Sequence, residues 1–368
     1  MNKIVSYIIG MFFIVGGIDY IIGSPLKLGH KFEEGIKTMG ALALGMIGIY
    51  SMAPFISDLL SAAIIPACKK IGMDPSIITS SFLAVDMGGY QIAGSISHHR
   101  VIALFSGVIV ASTLGASISF SIPVALGMLS DLSDEEFRCF SEGILIGIIT
   151  IPIGCVAAGI FQRINIGYLL FNMIPIFMVI LVLAFALIKA PEVTMKLFGV
   201  FGKFIVAVSI FGIILQGIYI TFNIKLIKDM VPISKSAAVV CKIALVLAGA
   251  YPMLEFISRI FKNSFDKLGH MLEVNSAAVA GIFGNLATNL LIFGDYKNMN
   301  PKGKVLCGAL AISGAFVFGG QFGFVAGVAP EMIGAYFVAK FTSAIFSVIF
   351  VIFYYNAHSV NKVLEVED

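Results

Sequence analysis

The chain has 368 residues, of which 59% are hydrophobic and 12% are charged, and its formal net charge is +3. A soluble globular domain carries about 25% charged residues, so this composition excludes an ordinary soluble domain. It indicates an all-α polytopic membrane protein with a single integral membrane domain over residues 1–368. Because the net charge is small and the basic residues are scattered, we expect no nucleic-acid partner.

Apolar stretches long enough to cross a bilayer recur along the chain. A transmembrane helix needs about 20 apolar residues, and this rule predicts about 10–11 spans, near residues 4–23, 39–66, 77–97, 101–128, 141–161, 168–188, 197–222, 237–261, 276–294, 303–328 and 332–355. The stretch 77–97 differs from the others because it holds Asp86 and several Ser, Thr and Gly residues. It is either a full span or a re-entrant segment buried within protein.

Two segments that lie 201 residues apart resemble each other. Residues 43–57 read A-L-G-M-I-G-I-Y-S-M-A-P-F-I-S, residues 244–258 read A-L-V-L-A-G-A-Y-P-M-L-E-F-I-S, and eight of the fifteen positions agree. We interpret this as a duplication. The predicted organisation is one repeat half at about 1–165, a connecting span at about 166–190, a second half at about 191–356 and a short polar tail at 357–368.

Each copy of this segment carries a proline, Pro54 in the first and Pro252 in the second. Proline removes a backbone donor and breaks or bends a helix. Paired, interrupted apolar segments in two related halves point to a transporter whose substrate site lies near the bilayer midplane. If 77–97 crosses fully, the second copy lies six spans after the first and the repeats run parallel; if 77–97 is re-entrant, it lies five spans after the first and the repeats are inverted. We favour inverted repeats with broken or re-entrant helices, since secondary transporters commonly have them.

The candidate substrate site centres on Asp86, within the run F-L-A-V-D-M-G-G-Y at 82–90. A carboxylate at bilayer depth is costly and usually faces a partner, a cavity or a substrate. We interpret Asp86 as the group that holds a small cation, with a hydrogen bond to a neighbouring helix as the alternative. Tyr90 follows four residues later, on the same face of a helix, where its ring can contact a cation.

The equivalent run in the second half, F-G-N-L-A-T-N-L-L at 283–291, has no carboxylate but offers amides and a hydroxyl. Asn285 and Asn289 are candidates for contact with a ligand hydroxyl, and interhelical hydrogen bonding is the alternative. Gln321 lies in G-G-Q-F-G, where unwound backbone can line a cavity. These residues predict a ligand with one cationic end and one hydroxyl end. Lys340 also lies in a predicted span, and we expect it to be structural and to snorkel.

The sequence has no signature of enzyme chemistry or of a bound metal. Its five cysteines stand far apart without a C-x-x-C pair. It contains no H-E-x-x-H, no G-x-S-x-G and no P-loop. We therefore expect no enzymatic activity, no cofactor and no metal site.

Six stretches follow one another in order over nearly the whole chain: F-E-E-G-I-K-T-M-G-A-L-A-L-G-M from Phe32, F-L-A-V-D-M-G-G-Y from Phe82, F-S-I-P-V-A-L-G from Phe120, I-T-I-P-I-G-C from Ile149, N-M-I-P-I from Asn172 and G-A-Y-P-M from Gly249. As an ordered set they resemble the ethanolamine utilization protein EutH family, the bacterial ethanolamine permeases. Glu255 departs from the resemblance, because an apolar residue is expected there.

The resemblance implies a multi-pass permease that carries ethanolamine across the bacterial cytoplasmic (inner) membrane. An alkylamine has a pKa on the order of 10, so this substrate is mostly cationic at neutral pH. We expect facilitated diffusion of ethanolammonium through an alternating-access site near the midplane. Two alternatives stay open: an ion-coupled transporter of another small polar solute, and a membrane sensor that binds the amine without moving it. The expected partners are ethanolamine and membrane lipid, and a homo-oligomer stays open.

Overall fold

The computed structural model describes residues 2–129, 131–260 and 262–364. The first part of the chain forms α1 (Asn2–Ile21), α2 (Gly29–Ile71), α3 (Pro75–Phe82), α4 (Tyr90–Ile96), α5 (Arg100–Leu104), α6 (Ile122–Met128) and α7 (Asp134–Phe161). π-Helical turns at Phe105–Gly115 and Ser117–Ser121 join α5 and α6 into one continuous rod, Arg100–Met128.

After α8 (Ile166–Lys189), the second part forms α9 (Pro191–Phe222), α10 (Ile233–Ile260), α11 (Lys262–Leu272), α12 (Ser276–Gly284), α13 (Leu290–Gly294), α14 (Pro301–Ser313), α15 (Gly320–Val328) and α16 (Ile333–Leu364). Short 3-10 turns at Tyr296–Asn298 and Pro330–Met332 precede α14 and α16.

The described residues contain eight helices that are long and apolar enough to cross a membrane: Ile4–Ile21, Gly29–Ala62, Arg100–Met128, Asp134–Phe161, Ile166–Lys189, Pro191–Phe222, Ile233–Ile260 and Pro330–Asn356. Each lies at a predicted span, and the prediction of an all-α polytopic membrane protein is confirmed. The other three predicted spans, 77–97, 276–294 and 303–328, fall on shorter helices interrupted by non-helical backbone. The number of long crossing helices is therefore smaller than the predicted 10–11.

The segment 75–96 is a hairpin whose two ends meet at one carboxylate. Asp74 caps α3 by accepting a hydrogen bond from the Ser76 amide at 3.0 Å. Its other oxygen accepts from the Ser97 hydroxyl at 2.8 Å and from the His98 amide at 3.2 Å, just beyond the end of α4. Because α3 begins where α4 ends, the segment returns to the level at which it entered the helix bundle.

The segment 276–298 forms a second hairpin of the same kind. Asn275 caps α12, and its side-chain amide donates to the Asn298 backbone carbonyl at 2.8 Å. Asn300, which caps α14, donates to the Glu273 carbonyl at 3.0 Å. The exposed Glu273 carboxylate also pairs with Lys302 at 2.6 Å, and this ammonium holds the pKa of Glu273 below its ordinary value. The ends of this hairpin are therefore also joined.

Each hairpin turns in irregular backbone at its tip, which lies between α3 and α4 in the first hairpin and between α12 and α13 in the second, and neighbouring segments hold each tip. At the first tip Gly88 has φ +92°, a conformation that favours glycine. At the second tip the carbonyls of Asn285 and Leu286 accept from the amides of Phe316 and Phe318 at 3.0 and 2.7 Å. Both phenylalanines lie in the break between α14 and α15, so the break and the tip satisfy each other's backbone groups.

The first tip is held by a hydrogen bond to its neighbour, the rod Arg100–Met128. Hydroxyls along this rod bond to carbonyls one turn earlier, including Thr113 to Ile109 at 2.7 Å and Ser119 to Gly115 at 2.8 Å. Such bonds loosen and bend a helix, and the rod is π-helical there. The Ser119 hydroxyl also accepts from the Ala84 amide at 3.0 Å, which fixes the tip against the rod.

The sequence predicts helix breaks at Pro54 and Pro252, but neither helix is interrupted at its proline. Both prolines stand inside continuous helices, α2 and α10. One missing donor is tolerated in a membrane helix because neighbouring groups satisfy the freed carbonyl. The interruptions occur instead at the two hairpin tips and at residues 314–319.

Several helices of the second part begin 201 residues after the corresponding helices of the first part. Pro75 opens α3 and Ser276 opens α12, while Arg100 opens α5 and Pro301 opens α14. The residues before α3 and α12, an aspartate and an asparagine, both cap their helix through the side chain. The relation between the halves as a repeat stays a prediction.

The long helices form two bundles. Helices α1, α2, α9 and α10 pack on one another as the outer bundle. The two hairpins pack with α5–α7 and α14–α16 as the hairpin bundle, and α8 contacts both α7 and α9. Glycines bring backbones together inside each bundle. A Cβ at Gly48 would meet the carbonyl of Ser209, one at Gly35 would meet the backbone of Ala248, and one at Gly143 would meet the backbone of α14.

We expect the substitution Gly48→Ala to lower the midpoint of thermal unfolding in detergent, because the new methyl group collides with the Ser209 carbonyl. Overpacking of this kind costs about 1–3 kcal/mol. The matched control is Gly40→Ala on the same helix, where a Cβ has no atom within 4 Å. Equal midpoints for the two variants would contradict the proposed close approach of α2 and α9.

Candidate functional site

A cavity of about 210 Å³ lies where both hairpin tips, the rod Arg100–Met128 and the α14–α15 pair face the outer bundle. It is smaller than the roughly 300–1,000 Å³ of pockets for drug-sized ligands, while one water takes about 30 Å³. It therefore suits a small molecule with a few waters. Its wall is formed by the tips (Asp86, Met87, Ala287, Thr288), the rod (Phe120), the break before α15 and the start of α15 (Phe316, Gly320, Gln321), α2 (Thr38, Ala41, Leu42, Gly45, Met46) and α10 (Leu247, Tyr251).

Asp86 supplies the negative charge of this wall. It is half-buried, in the irregular turn that begins the first tip. The wall contains no other carboxylate and no lysine, arginine or histidine. Within the part of the chain that the structure describes, no basic side chain forms an ion pair with Asp86. Asp86 therefore places a negative charge in the cavity wall, and its role in holding a small cation stays a prediction.

Three buried amide oxygens near the second tip have no hydrogen-bond donor among the described residues. Gln321 is in the cavity wall, 3% exposed, and its Oε1 is unpaired. Asn285 and Asn289 flank the wall residues of the tip, and each has an unpaired Oδ1. Their amide nitrogens donate to the carbonyls of Leu310 at 2.9 Å and Ala311 at 3.5 Å, which fixes the orientation of both amides.

A buried acceptor without a donor is costly. The Asp86 carboxylate likewise only accepts hydrogen bonds when ionised. The site therefore presents a carboxylate and an excess of acceptors, and the ligand that satisfies them is rich in N–H and O–H donors.

Tyr90 lies outside the cavity wall, although helical spacing places it on the face of Asp86. Its ring packs edge-on against Phe324 of α15, with 5.7 Å between the ring centroids. The aromatic hydroxyl in the wall belongs to Tyr251 of α10, which sequence reasoning missed as a site residue. The available signal was its place in the duplicated segment, where it aligns with Tyr50.

Met87 and Phe120 stand between the small cavity and a much larger one. The larger space, about 1280 Å³, lies along α6 and α9, and its wall reaches Asp134 and Glu192 near the ends of α7 and α9. Gly45, Met87 and Phe120 belong to both walls. A ligand that travels from the larger space to Asp86 therefore passes these side chains.

The described residues contain no group of three His, Cys, Asp or Glu side chains that could hold a metal ion.

Comparison with known proteins adds independent information. The family described as "Ethanolamine utilisation protein, EutH" matches residues 1–354. A Listeria monocytogenes protein named "Probable ethanolamine permease EutH" is 37% identical over 348 residues, covering 95% of this chain and 92% of its own length. A Salmonella typhimurium protein of the same name is 35% identical over 378 aligned residues, covering 92% of each chain. The Bacillus subtilis protein YxeR is 37% identical over 345 residues, covering 94% of this chain and 92% of its own. No solved structure matches the chain.

The negative charge of Asp86 should affect how fast a cysteine placed in the cavity reacts with charged thiol reagents. In a Cys241→Ser background, which removes the one exposed cysteine among the five, we expect Thr288→Cys to react faster with a cationic aminoethyl thiosulfonate than with its anionic sulfonatoethyl analogue. The expected difference is roughly tenfold, which corresponds to about 1.4 kcal/mol. Adding Asp86→Asn should remove the difference. Equal rates for both reagents with Asp86 intact would show that its charge does not act in the cavity.

Proposed function

Since the chain belongs to the EutH family, we propose that it is an ethanolamine permease that moves ethanolammonium across the bacterial cytoplasmic membrane by facilitated diffusion. The observation that carries this proposal is the cavity at the two hairpin tips, which has one carboxylate and the unpaired Gln321 oxygen in its wall and two further unpaired amide oxygens beside the second tip. The names of the relatives support a transporter rather than an enzyme. The eight long apolar helices support a multi-pass membrane protein, with the exposed apolar faces of α8 and α9 against lipid.

The site chemistry fits ethanolammonium group by group. The ammonium offers N–H donors and a charge, which Asp86 receives as a charge-assisted hydrogen bond. The hydroxyl donates to Gln321 or to the amides of the second tip, Asn285 and Asn289, directly or through water. The ring of Tyr251 is in the wall, where it can contact the cation, whereas Tyr90 lies outside the wall.

The way in which the two bundles meet supports alternating access. Inside each bundle glycines bring backbones together, whereas between the bundles they meet side chains. A Cβ at Gly202 of α9 would meet the ring of Pro123, and one at Gly88 of the first tip would meet the side chain of Ile49. Side-chain contacts re-form at a new offset more easily than interlocked backbones. We infer that the hairpin bundle carries the site and moves against the outer bundle.

The two halves are inverted repeats in this proposal. If the hairpins do not cross, the long helices α1, α2, the rod Arg100–Met128, α7 and α8 precede α9. This odd number of crossings places the first helix of each half in opposite orientations. The matched starts of helices and the presence of a hairpin in each half support the same relation.

We expect Asp86→Asn to reduce saturable uptake of labelled ethanolamine into proteoliposomes at least tenfold, because a hydrogen bond to a charged group is worth about 1.5–3 kcal/mol. The matched control is Asp58→Asn, which removes an exposed carboxylate from α2 and should leave uptake unchanged. Measurements at acidic pH without an ion gradient keep leakage of the neutral amine low. Normal uptake by Asp86→Asn would refute the site, and binding without any uptake by the wild type would favour a sensor.

Topology is tested with single cysteines at two exposed loop positions, Leu26 and Leu226, in the Cys241→Ser background. Inverted halves place the loop after α1 and the loop after α9 on opposite sides of the membrane. We expect a membrane-impermeant maleimide added to intact cells to label one of these variants and not the other. Labelling of both from one side would indicate parallel halves.

A further inference from the structure

Lys340 is a cationic side chain sealed inside the hairpin bundle. It lies in the first half of α16 and is 1% exposed, so it does not snorkel as expected from the sequence. Its ammonium lies 5.8 Å from the ring centroid of Tyr336, a cation–π distance. Within the described residues, no carboxylate is close enough to form an ion pair with it. A buried ammonium without a bonded anion is costly, so this position needs an explanation beyond packing.

The surroundings of Lys340 connect it to the cavity. The Tyr336 hydroxyl donates to the carbonyl of Phe316 at 2.6 Å, and Phe316 is in the cavity wall. The Tyr336 phenol of the same helix lies beside the Lys340 ammonium, and the Asp86 carboxylate of the first tip and the Cys155 thiol of α7 act on the Lys340 charge. Asp86 is the acidic one of these near neutral pH. Since Asp86 and Lys340 both belong to the hairpin bundle, they move together.

In the proposed cycle, Lys340 can keep the net charge of the site at zero. In the empty site, one carboxylate and one ammonium cancel. When ethanolammonium binds at Asp86, two cations share one carboxylate and a positive charge is left over. Carrying a net charge through a low-dielectric interior is expensive. Release of one proton from Lys340 restores neutrality, so the loaded and the empty site both cross without net charge.

We propose that Lys340 is a proton-carrying residue of the transport cycle, which releases one proton when ethanolammonium binds and takes one up when it leaves. This inference rests on the proposed function. The proton leaves the Lys340 nitrogen towards the side from which the substrate came, and the lone pair stays on that nitrogen. After the substrate has left on the other side, the nitrogen takes a proton from that side. Each cycle thus moves one ethanolammonium one way and one proton the other way.

The net result is the transfer of one neutral ethanolamine, without net movement of charge. Facilitated diffusion of this kind needs no other ion gradient and does not respond to the membrane voltage. A cation uniporter differs sharply, because moving one charge across 100 mV is worth about 2.3 kcal/mol, or about a 50-fold accumulation. The two cases are therefore separable by voltage alone.

The experiment measures initial rates of labelled ethanolamine uptake into proteoliposomes at equal inside and outside pH near 6, where leakage of the neutral amine is small. Uptake into Asp86→Asn vesicles is subtracted, and a potassium gradient with valinomycin sets the voltage. For the wild type we expect rates that agree within twofold at zero and at 100 mV inside-negative. For Lys340→Met we expect severalfold faster uptake at the inside-negative voltage, because each cycle then moves one net positive charge inward: the loaded site crosses neutral and the empty Asp86 carboxylate returns with its negative charge.

Two further variants complete the design. Lys340→Arg keeps the charge but cannot release the proton, and we expect at least tenfold slower uptake with normal folding. Lys242→Met, which removes an exposed lysine from α10, should behave like the wild type. Voltage-stimulated uptake by the wild type would overturn the proton proposal and leave the Asp86 site intact. Voltage-independent uptake by Lys340→Met would reduce Lys340 to a structural residue. If Lys340→Met does not fold, the wild-type voltage response still decides.

Discussion

The architecture depends on one constraint, which is that every backbone amide and carbonyl at membrane depth needs a hydrogen-bond partner. The continuous helices satisfy it internally. The hairpin tips and the 314–319 break cannot, and they satisfy it by pairing with each other, as in the bonds from Phe316 and Phe318 to the second tip. Irregular backbone therefore gathers in one place. The polar side chains at the same points gather with it, and the cavity with Asp86 and Gln321 results.

The two tips meet at this cavity with different chemistry. Asp86 and Met87 of the first tip stand 201 residues before Ala287 and Thr288 of the second, and all four are in the wall. One tip thus contributes charge and the other a neutral hydroxyl with nearby amides. The wall is therefore chemically asymmetric, although the helices around it begin at matched positions.

The long helices were predictable because their signal is local. Uniform apolar composition over a sufficient length marks all eight of them. The stretch 303–328 is equally apolar, yet it divides into α14 and α15, because the break is stabilised by distant tip carbonyls that no local pattern encodes. Asp86 was predictable from the cost of a charge in an apolar run. The placement of Tyr90 was not, since its predicted face assumed a helix, whereas Met87 and Gly88 are non-helical. Tyr251 enters the wall only through the packing of α10 against the hairpin bundle.

The closed ends of the hairpins have a consequence for how the protein is assembled. Helices as short as α3, α4, α12 and α13 are marginal in isolation, and none is long enough to be inserted as a membrane span. Their tips acquire backbone partners only after the rod Arg100–Met128 and the α14–α15 pair are in place. The folded form of the hairpins, and the cavity at their tips, therefore depends on the long helices, so a change that displaces the rod or the α14–α15 pair also disturbs the cavity.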